Sequence, residues 1–135
     1  NALEGKLHGE GVTGGGRNII GGNLSVLYGL QGTPYSLHAI IDSCVEPPVL
    51  LLEDICEKHY HIDRMMNNLR LSGVLSRLSG VIVGQFTDCD DDPRMGCTLR
   101  ETLQYYLDQY DYPVVWGAPY GHEDDNRPIM FSLNF

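Results

Sequence analysis

The sequence has few basic residues, and this scarcity excludes two common classes of partner. Only 9 of its 135 residues are Lys or Arg, against 18 Asp or Glu, so the formal net charge is -9. A protein that binds the nucleic-acid backbone needs clustered basic residues to displace counterions. A basic helix that lies on a membrane surface needs them as well. We therefore expect neither nucleic acid nor membrane as a partner.

Long apolar runs and a secretory signal pattern are also missing from the sequence. A segment that crosses a bilayer needs roughly 20 apolar residues, and no run approaches that length. Without a signal peptide, we expect a cytoplasmic protein. With a length of 135 residues, the chain has the size of one domain, and the remaining classes of target are a small molecule, a peptide or a partner protein.

The spacing of cysteine and histidine does not favour a metal site. The cysteines are Cys44, Cys56, Cys89 and Cys97. None belongs to a C-x-x-C pair, and we expect reduced, partly buried thiols rather than disulfides. His59, His61 and Asp63 would share a face only on a strand, whereas a helix start is favoured at this point.

An acidic stretch later in the chain begins like a calcium loop. Asp88, Asp90 and Asp92 alternate in the required way, but Pro93 and Leu99 occupy positions that need Gly and Glu. An acidic, solvated turn is the better interpretation. The sequence therefore predicts no metal ion and no cofactor.

The apolar pattern predicts alternating strands and helices. Strands are indicated by the apolar runs at 49–52, 81–83, 113–116 and 129–133. Helices are indicated by three-to-four-residue periodicity or by a capping box at 24–30, 62–71 and 98–109. This alternation predicts an α/β fold with a mixed, largely parallel sheet and flanking helices.

Glycine is concentrated at the front of the chain, where little side chain is available to bury. We interpret residues 1–20 as a Gly-rich lead-in at an interdomain junction, with residues 1–2 as a cloning remnant. Residues 21–135 are then interpreted as one domain.

The sequence offers an acid and a base but no evident nucleophile. It contains no G-x-S-x-G elbow. Glu53 follows a predicted strand and His122 lies beyond another, so both would reach the edge where parallel strands end and ligands bind. A Glu that accepts the His Nδ1–H would leave Nε2 to take a proton. The alternative from spacing is a Glu that caps loop amides and a His in solvent. A hydrolase that uses only residues of this chain, such as a Cys56–His59 pair, is the weakest hypothesis.

Several motifs, taken together and in order, resemble one family. They are Gly21–Ser25, Gly32–Tyr35, Leu51–Asp54, Glu57 with Tyr60, Ile62–Met65, Gly84–Thr87 and Tyr120–His122. Over most of residues 5–131 the chain is similar to the C-terminal domain of the LD-carboxypeptidase family of serine peptidases. The resemblance implies that family's C-terminal fold, a swivelling β/β/α type. The chain departs from the family pattern in a longer connection at 36–48 and in an end that lacks a Gly-bearing strand.

The resemblance implies a function. Members of the family hydrolyse the bond between an L-centre and a terminal D-amino acid, typically releasing D-Ala from murein tetrapeptides during cell-wall recycling, and a related branch hydrolyses microcin C-type antibiotics. Their Ser-Glu-His triad is divided between two domains. By motif, Glu53 and His122 are the acid and the base here, with Glu57 as the rival acid.

The resemblance also implies partners. These are a murein peptide as substrate, an N-terminal domain of the same protein that carries the Ser and the oxyanion hole, and a second copy in a homodimer. The 135-residue chain alone is then expected to be inactive. A domain that binds murein peptides without cleaving them is the alternative. Asn23 is a candidate to bind substrate, and its other interpretation is a helix cap.

Overall fold

A computed structural model describes residues 18–118 of the chain. In this part the strands are β1 (Ile19–Asn23), β2 (Val49–Ile55), β3 (Gly80–Thr87) and β4 (Val114–Trp116). The helices are α1 (Leu24–Gly29), α2 (Leu37–Asp42), α3 (His59–Leu71) and α4 (Leu99–Leu107). Single 3₁₀ turns cover Leu75–Arg77 and Pro93–Met95.

The four strands form one sheet in the order β1-β2-β3-β4, and each neighbouring pair is parallel. All four strands therefore end at the same side of the sheet, which we call the carboxyl edge. The α/β class with a parallel sheet, expected from the alternation of apolar patterns, is confirmed. In folds of this kind ligands bind outside the carboxyl ends of the strands.

The two faces of the sheet are buried in different ways. Leu50 and Leu52 of β2 pack in a large cluster to which all four helices contribute. Val49 and Leu51, which alternate with them, belong to a smaller cluster on the other face. Because β2 is covered on both faces, it reads as a continuous apolar run rather than as an alternating one.

Local sequence signals account for the two long helices. The buried side chains of α3 recur every three or four residues: Ile62, Met65, Met66 and Leu69. Helix α4 begins after Thr98, whose hydroxyl accepts the Glu101 amide while the Glu101 carboxylate accepts the Thr98 amide. The expected helices at 24–30, 62–71 and 98–109 are confirmed, although α3 begins earlier, at His59.

The expected strands at 49–52, 81–83 and 113–116 are confirmed too, and two elements were not expected. Strand β1 contains Gly21 at φ 103°, where an added Cβ would lie 2.4 Å from the Leu51 carbonyl oxygen. The close approach of the two strands therefore requires glycine at this position. Because glycine is unfavourable in strands, residue propensities do not predict a strand here. Helix α2 lies inside the connection at 36–48 and has only six residues.

Some sequence-based expectations lie outside the described residues. These are the strand at 129–133 and nearly all of the Gly-rich lead-in at 1–20. Within residues 18–118, no helix combines the length and the apolar character that a membrane crossing requires.

Candidate active site

Glu53 lies inside β2, and its position corrects the expectation that the strand closes at residue 52. The strand continues to Ile55, so Glu53 is held in the sheet, with Asn23 of β1 as its paired residue. The side chain is only 8% exposed. Alternation along the strand places it on the face of Val49 and Leu51, opposite the helices. Glu53 is thus a buried acid near the carboxyl edge.

The pairing of β2 with β3 is irregular at Glu53. Leu52 pairs with Val83 and Asp54 pairs with Phe86, so two residues of β3 stand opposite Glu53 alone. The extra residue therefore lies in β3, where it bends that strand and disrupts the ladder opposite Glu53, and bulges are common beside active sites. The local geometry therefore singles out Glu53 among the residues of β2.

Asp54, the next residue, is 2% exposed and is bound into the fold. Its Oδ2 accepts the Ser25 amide at 2.9 Å and the Ser25 hydroxyl at 2.6 Å. Its Oδ1 accepts the Asn23 side-chain amide at 3.2 Å and the Ile55 amide at 2.8 Å. No role of Asp54 could be predicted from the sequence, because its partners Asn23 and Ser25 lie about thirty residues away in the chain.

Asn23 caps α1 and also contacts Asp54. Its Oδ1 accepts the Val26 amide at 3.0 Å, which is the N-cap geometry. Its Nδ2 donates to Asp54. A side-chain amide carries two N–H groups, so one bond to Asp54 leaves a second donor hydrogen. The cap is thus seen directly, and substrate binding by Asn23 stays a prediction.

Glu57, the rival acid, lies beyond the end of β2 and is bound to neighbours. Its carboxylate accepts His61 Nδ1 at 2.5 Å and the Ser25 hydroxyl at 3.2 Å. Burial raises the pKa of the Glu57 carboxyl, but the hydrogen bonds from His61, the Lys58 amide and Ser25 outweigh it, so the pKa is lowered. Glu57 is therefore held ionised by an intramolecular partner.

His122 lies outside the described residues, which end at Ala118. The Ala118 amide donates to the carbonyl oxygen of Val83 at 3.1 Å, so the chain leaves β4 beside β3. Val83 is the β3 partner of Leu52, directly before Glu53. The last described residue is thus close to the irregularity that surrounds Glu53.

His59, His61 and Asp63 do not converge on a common point. His59 is buried, and its Nε2 contacts Thr102 Oγ1 at 2.7 Å while its Nδ1 accepts the Asp92 amide at 3.0 Å. His61 binds Glu57, and Asp63 accepts the Tyr106 hydroxyl at 2.7 Å. The helix start favoured at this point is confirmed.

The hypothesis of a catalytic Cys56–His59 pair is not supported either, because both ring nitrogens of His59 have other partners. All four cysteines are free, as expected; three are half-buried, while Cys56 is exposed.

The acidic stretch after β3 forms one wall of a cavity of about 280 Å³ at the carboxyl edge. Hydrogen bonds from Arg94 lower the pKa of Asp92 to about 2. The Asp92 side chain also accepts the Arg94 amide at the start of the turn Pro93–Met95. Asp91 accepts the Leu99 amide at 2.6 Å. These acids therefore shape a turn and the start of α4.

Comparison with known proteins identifies the fold and its relatives. A family model described as the LD-carboxypeptidase C-terminal domain matches residues 16–134. The probable murein peptide carboxypeptidase of Bacillus subtilis is 33% identical over 121 residues, which are 89% of this chain and 34% of that protein. The chain thus spans about a third of the length of this relative.

Two solved structures carry the comparison further. The muramoyltetrapeptide carboxypeptidase from Oxalobacter formigenes superposes with a TM-score of 0.67 at 29% identity, covering 82% of this chain and 37% of that one. The microcin C7 self immunity protein MccF superposes with a TM-score of 0.60 at 25% identity, covering 76% of this chain and 29% of the other. Because the family model spans nearly the whole chain, the chain belongs to the LD-carboxypeptidase family, in its C-terminal domain.

Proposed function

We propose that this chain is the acid-base half of a serine LD-carboxypeptidase. Glu53 is the triad acid, His122 is the base, and the nucleophilic Ser with its oxyanion hole belongs to an N-terminal domain. The observation that carries the proposal is the burial of Glu53 in β2, at a bulge near the carboxyl edge. Family membership supports it, since several relatives bear carboxypeptidase names.

The chain length between the two residues is compatible with this pairing. His122 is the fourth residue after Ala118, and four residue steps span at most about 14 Å. Ala118 is bonded to Val83, which lies beside Leu52 and Glu53. This reach is compatible with contact between the His122 imidazole and the Glu53 carboxylate.

The chemistry follows from the roles of the two side chains. The Ser Oγ attacks the carbonyl carbon of the L–D peptide bond while His122 Nε2 takes the hydroxyl proton. His122 then gives that proton to the amine of the departing D-amino acid, and water repeats the cycle on the acyl-enzyme. Glu53 accepts the Nδ1–H, fixes the tautomer and stabilises the imidazolium, without itself becoming protonated.

Ser25, the serine at the carboxyl edge, is unsuited to be the nucleophile. Its hydroxyl donates to Asp54 Oδ2 at 2.6 Å and lies 3.2 Å from Glu57 Oε2. An activated Ser is paired with an imidazole that takes its proton, whereas this hydroxyl is held between two carboxylates. This supports a nucleophile from another part of the protein.

The remaining partners are part of the same proposal. The substrate is a murein tetrapeptide, from which D-Ala is released in the cytoplasm, and the complete protein forms a homodimer. Asn23 contributes its second amide hydrogen to the substrate, where it can bind a carboxylate.

The proposal is tested by D-Ala release from murein tetrapeptide. We expect release by the complete gene product and none by the 135-residue chain alone. In the complete product His122→Ala should lower kcat by several orders of magnitude, as loss of a triad member does elsewhere. Release by the 135-residue chain that is abolished by His122→Ala would contradict the division of the triad.

A second candidate function is suggested by the similarity to MccF. One solved MccF structure holds aspartyl sulfamoyl adenosine, so this compound and murein tetrapeptide can be offered to the same preparation. Cleavage of aspartyl sulfamoyl adenosine with no release of D-Ala would assign the chain to that branch. Binding of tetrapeptide with no cleavage of either compound would favour a binding domain.

A further inference from the structure

Asp54 has the most extensive set of contacts described at the carboxyl edge, although it is not a member of the proposed triad. Each of its two oxygens accepts two donors. Oδ1 binds the amide side chain of Asn23 and the Ile55 amide, and Oδ2 binds the amide and the hydroxyl of Ser25. A buried carboxylate with this many donors is fixed in one orientation, because turning it would leave buried donors unsatisfied.

These contacts join three elements around Glu53. Asn23 is the last residue of β1 and the paired residue of Glu53, Ser25 lies in the first turn of α1, and Asp54 follows Glu53 in β2. The Asp54 carboxylate therefore ties β1 and α1 to the residue next to Glu53.

The need for such a tie comes from the bulge. On the β3 side the regular register ends at Leu52 and resumes at Asp54, so the ladder with β3 skips Glu53. The extra residue lies in β3 and disrupts the ladder locally, so β3 does not hold Glu53 in register as it holds Leu52. Asp54 supplies the constraint from the β1 side, one residue away.

We propose that Asp54 is a positioning residue, which holds the backbone of Glu53 and the side-chain amide of Asn23 in the geometry that the reaction needs. The inference rests on the proposed function. It adds that the acidic pair Glu53-Asp54 divides two tasks between the two faces of one strand. Glu53 faces the reaction, and Asp54 faces the helices and fixes the strand end.

The Asp54→Asn variant tests this division because it changes shape very little. The new NH₂ group must replace one oxygen, so it meets either the donors of Asn23 and Ile55 or those of Ser25. Donor faces donor in both orientations, and the strand end shifts. We expect kcat of the complete gene product to fall about 10- to 100-fold, since displacement of a reacting group by about 1 Å costs that much.

The split between kcat and KM separates positioning from simple stability. If Asp54 only stabilised the fold, kcat per folded molecule would be unchanged, with the folded fraction measured by circular dichroism and active-site titration. We expect kcat per folded molecule to fall while KM stays within about threefold. A kcat per folded molecule within twofold of the parent would overturn the inference.

Two further variants keep the test decisive. Should Asp54→Asn fail to fold, Ser25→Ala removes one donor to Asp54 and leaves the Ser25 amide in place; it should lower kcat about threefold to tenfold, and an unchanged kcat would overturn the inference. Glu53→Gln is measured beside it. If Glu53→Gln retains full activity, the proposed function itself is wrong, whereas an inactive Glu53→Gln with an unaffected Asp54→Asn removes only the positioning role.

Discussion

Two polar clusters of this domain look alike in the sequence and differ in what the fold does with them. The strand-edge cluster consists of Asn23, Ser25, Asp54 and Glu57, beside Glu53. The His59 cluster consists of His59, Thr102, Cys97 and the Asp92 amide, between α3, α4 and the acidic turn. Both combine acids or histidines with hydroxyls, as active sites do.

In the His59 cluster, both ring nitrogens of the histidine are bonded to other groups of the fold. Nδ1 of His59 accepts the Asp92 amide, so the ring proton lies on Nε2, which donates to Thr102 Oγ1. Both nitrogens of this 2% exposed side chain are used inside the fold. The comparison shows that a buried histidine whose nitrogens both have partners in the fold serves packing, whereas the strand-edge cluster surrounds an acid held at a bulge of the sheet.

The largest effect on stability is expected from a substitution in the His59 cluster. His59→Ala leaves a cavity and removes the partners of the Asp92 amide and the Thr102 hydroxyl, which should lower the free energy of unfolding by about 2–4 kcal/mol. Urea denaturation of the 135-residue chain measures it. His61→Ala, in the same helix but half-exposed, is the control, with about 0.5 kcal/mol expected. Equal losses in the two variants would show that the His59 cluster does not stabilise the fold in this way.

A substitution that disturbs the close packing of β1 against β2 should lower the free energy of unfolding by a somewhat smaller amount. Gly21→Ala places a Cβ 2.4 Å from the Leu51 carbonyl oxygen at φ +103°, and we expect a loss of about 2–3 kcal/mol. Gly29→Ala at the end of α1 is the control, since nothing lies within 4 Å of its added Cβ. The control should be neutral or slightly stabilising. A tolerated Gly21→Ala would contradict the close approach of the two strands.

The smallest effect concerns Glu57 of the strand-edge cluster, and it is a change in how stability depends on pH. The pKa of Glu57 is lowered in the fold from its ordinary value of 4.5. Its carboxylate therefore contributes stability that is present above pH 4.5 and is lost as the pH falls below that value. Glu57→Gln should flatten the acid side of the stability curve, measured by urea midpoints between about pH 7 and pH 3. An identical stability curve for both proteins would show that the contacts of the Glu57 carboxylate do not stabilise the fold.

The elements with strong local signals could be predicted from the sequence. The apolar run of β2, the periodicity of α3 and the capping box of α4 each require only neighbouring residues. Strand β1 was not expected because Gly21 and Gly22 fill its centre. Helix α2 was not expected because residues 36–48 were interpreted as a connection.

Within the candidate site, the position of Glu53 after an apolar run could be read in the same way. The roles of Asp54 and His59 could not, because each depends on partners about thirty or more residues away in the chain. Two adjacent acids near a strand end, together with a serine at the start of α1, are the signal that could indicate Asp54.

The central claim is that Glu53, rather than Glu57, is the triad acid, and one pair of variants tests it directly. In the complete gene product, Glu53→Gln should lower kcat for D-Ala release on the order of 10⁴-fold, because the imidazole loses the carboxylate that fixes its tautomer. Glu57→Gln, which removes an acid bound to His61 and Ser25, should change kcat by less than about threefold. The opposite ranking, with a near-normal rate after Glu53→Gln and a collapse after Glu57→Gln, would contradict the account.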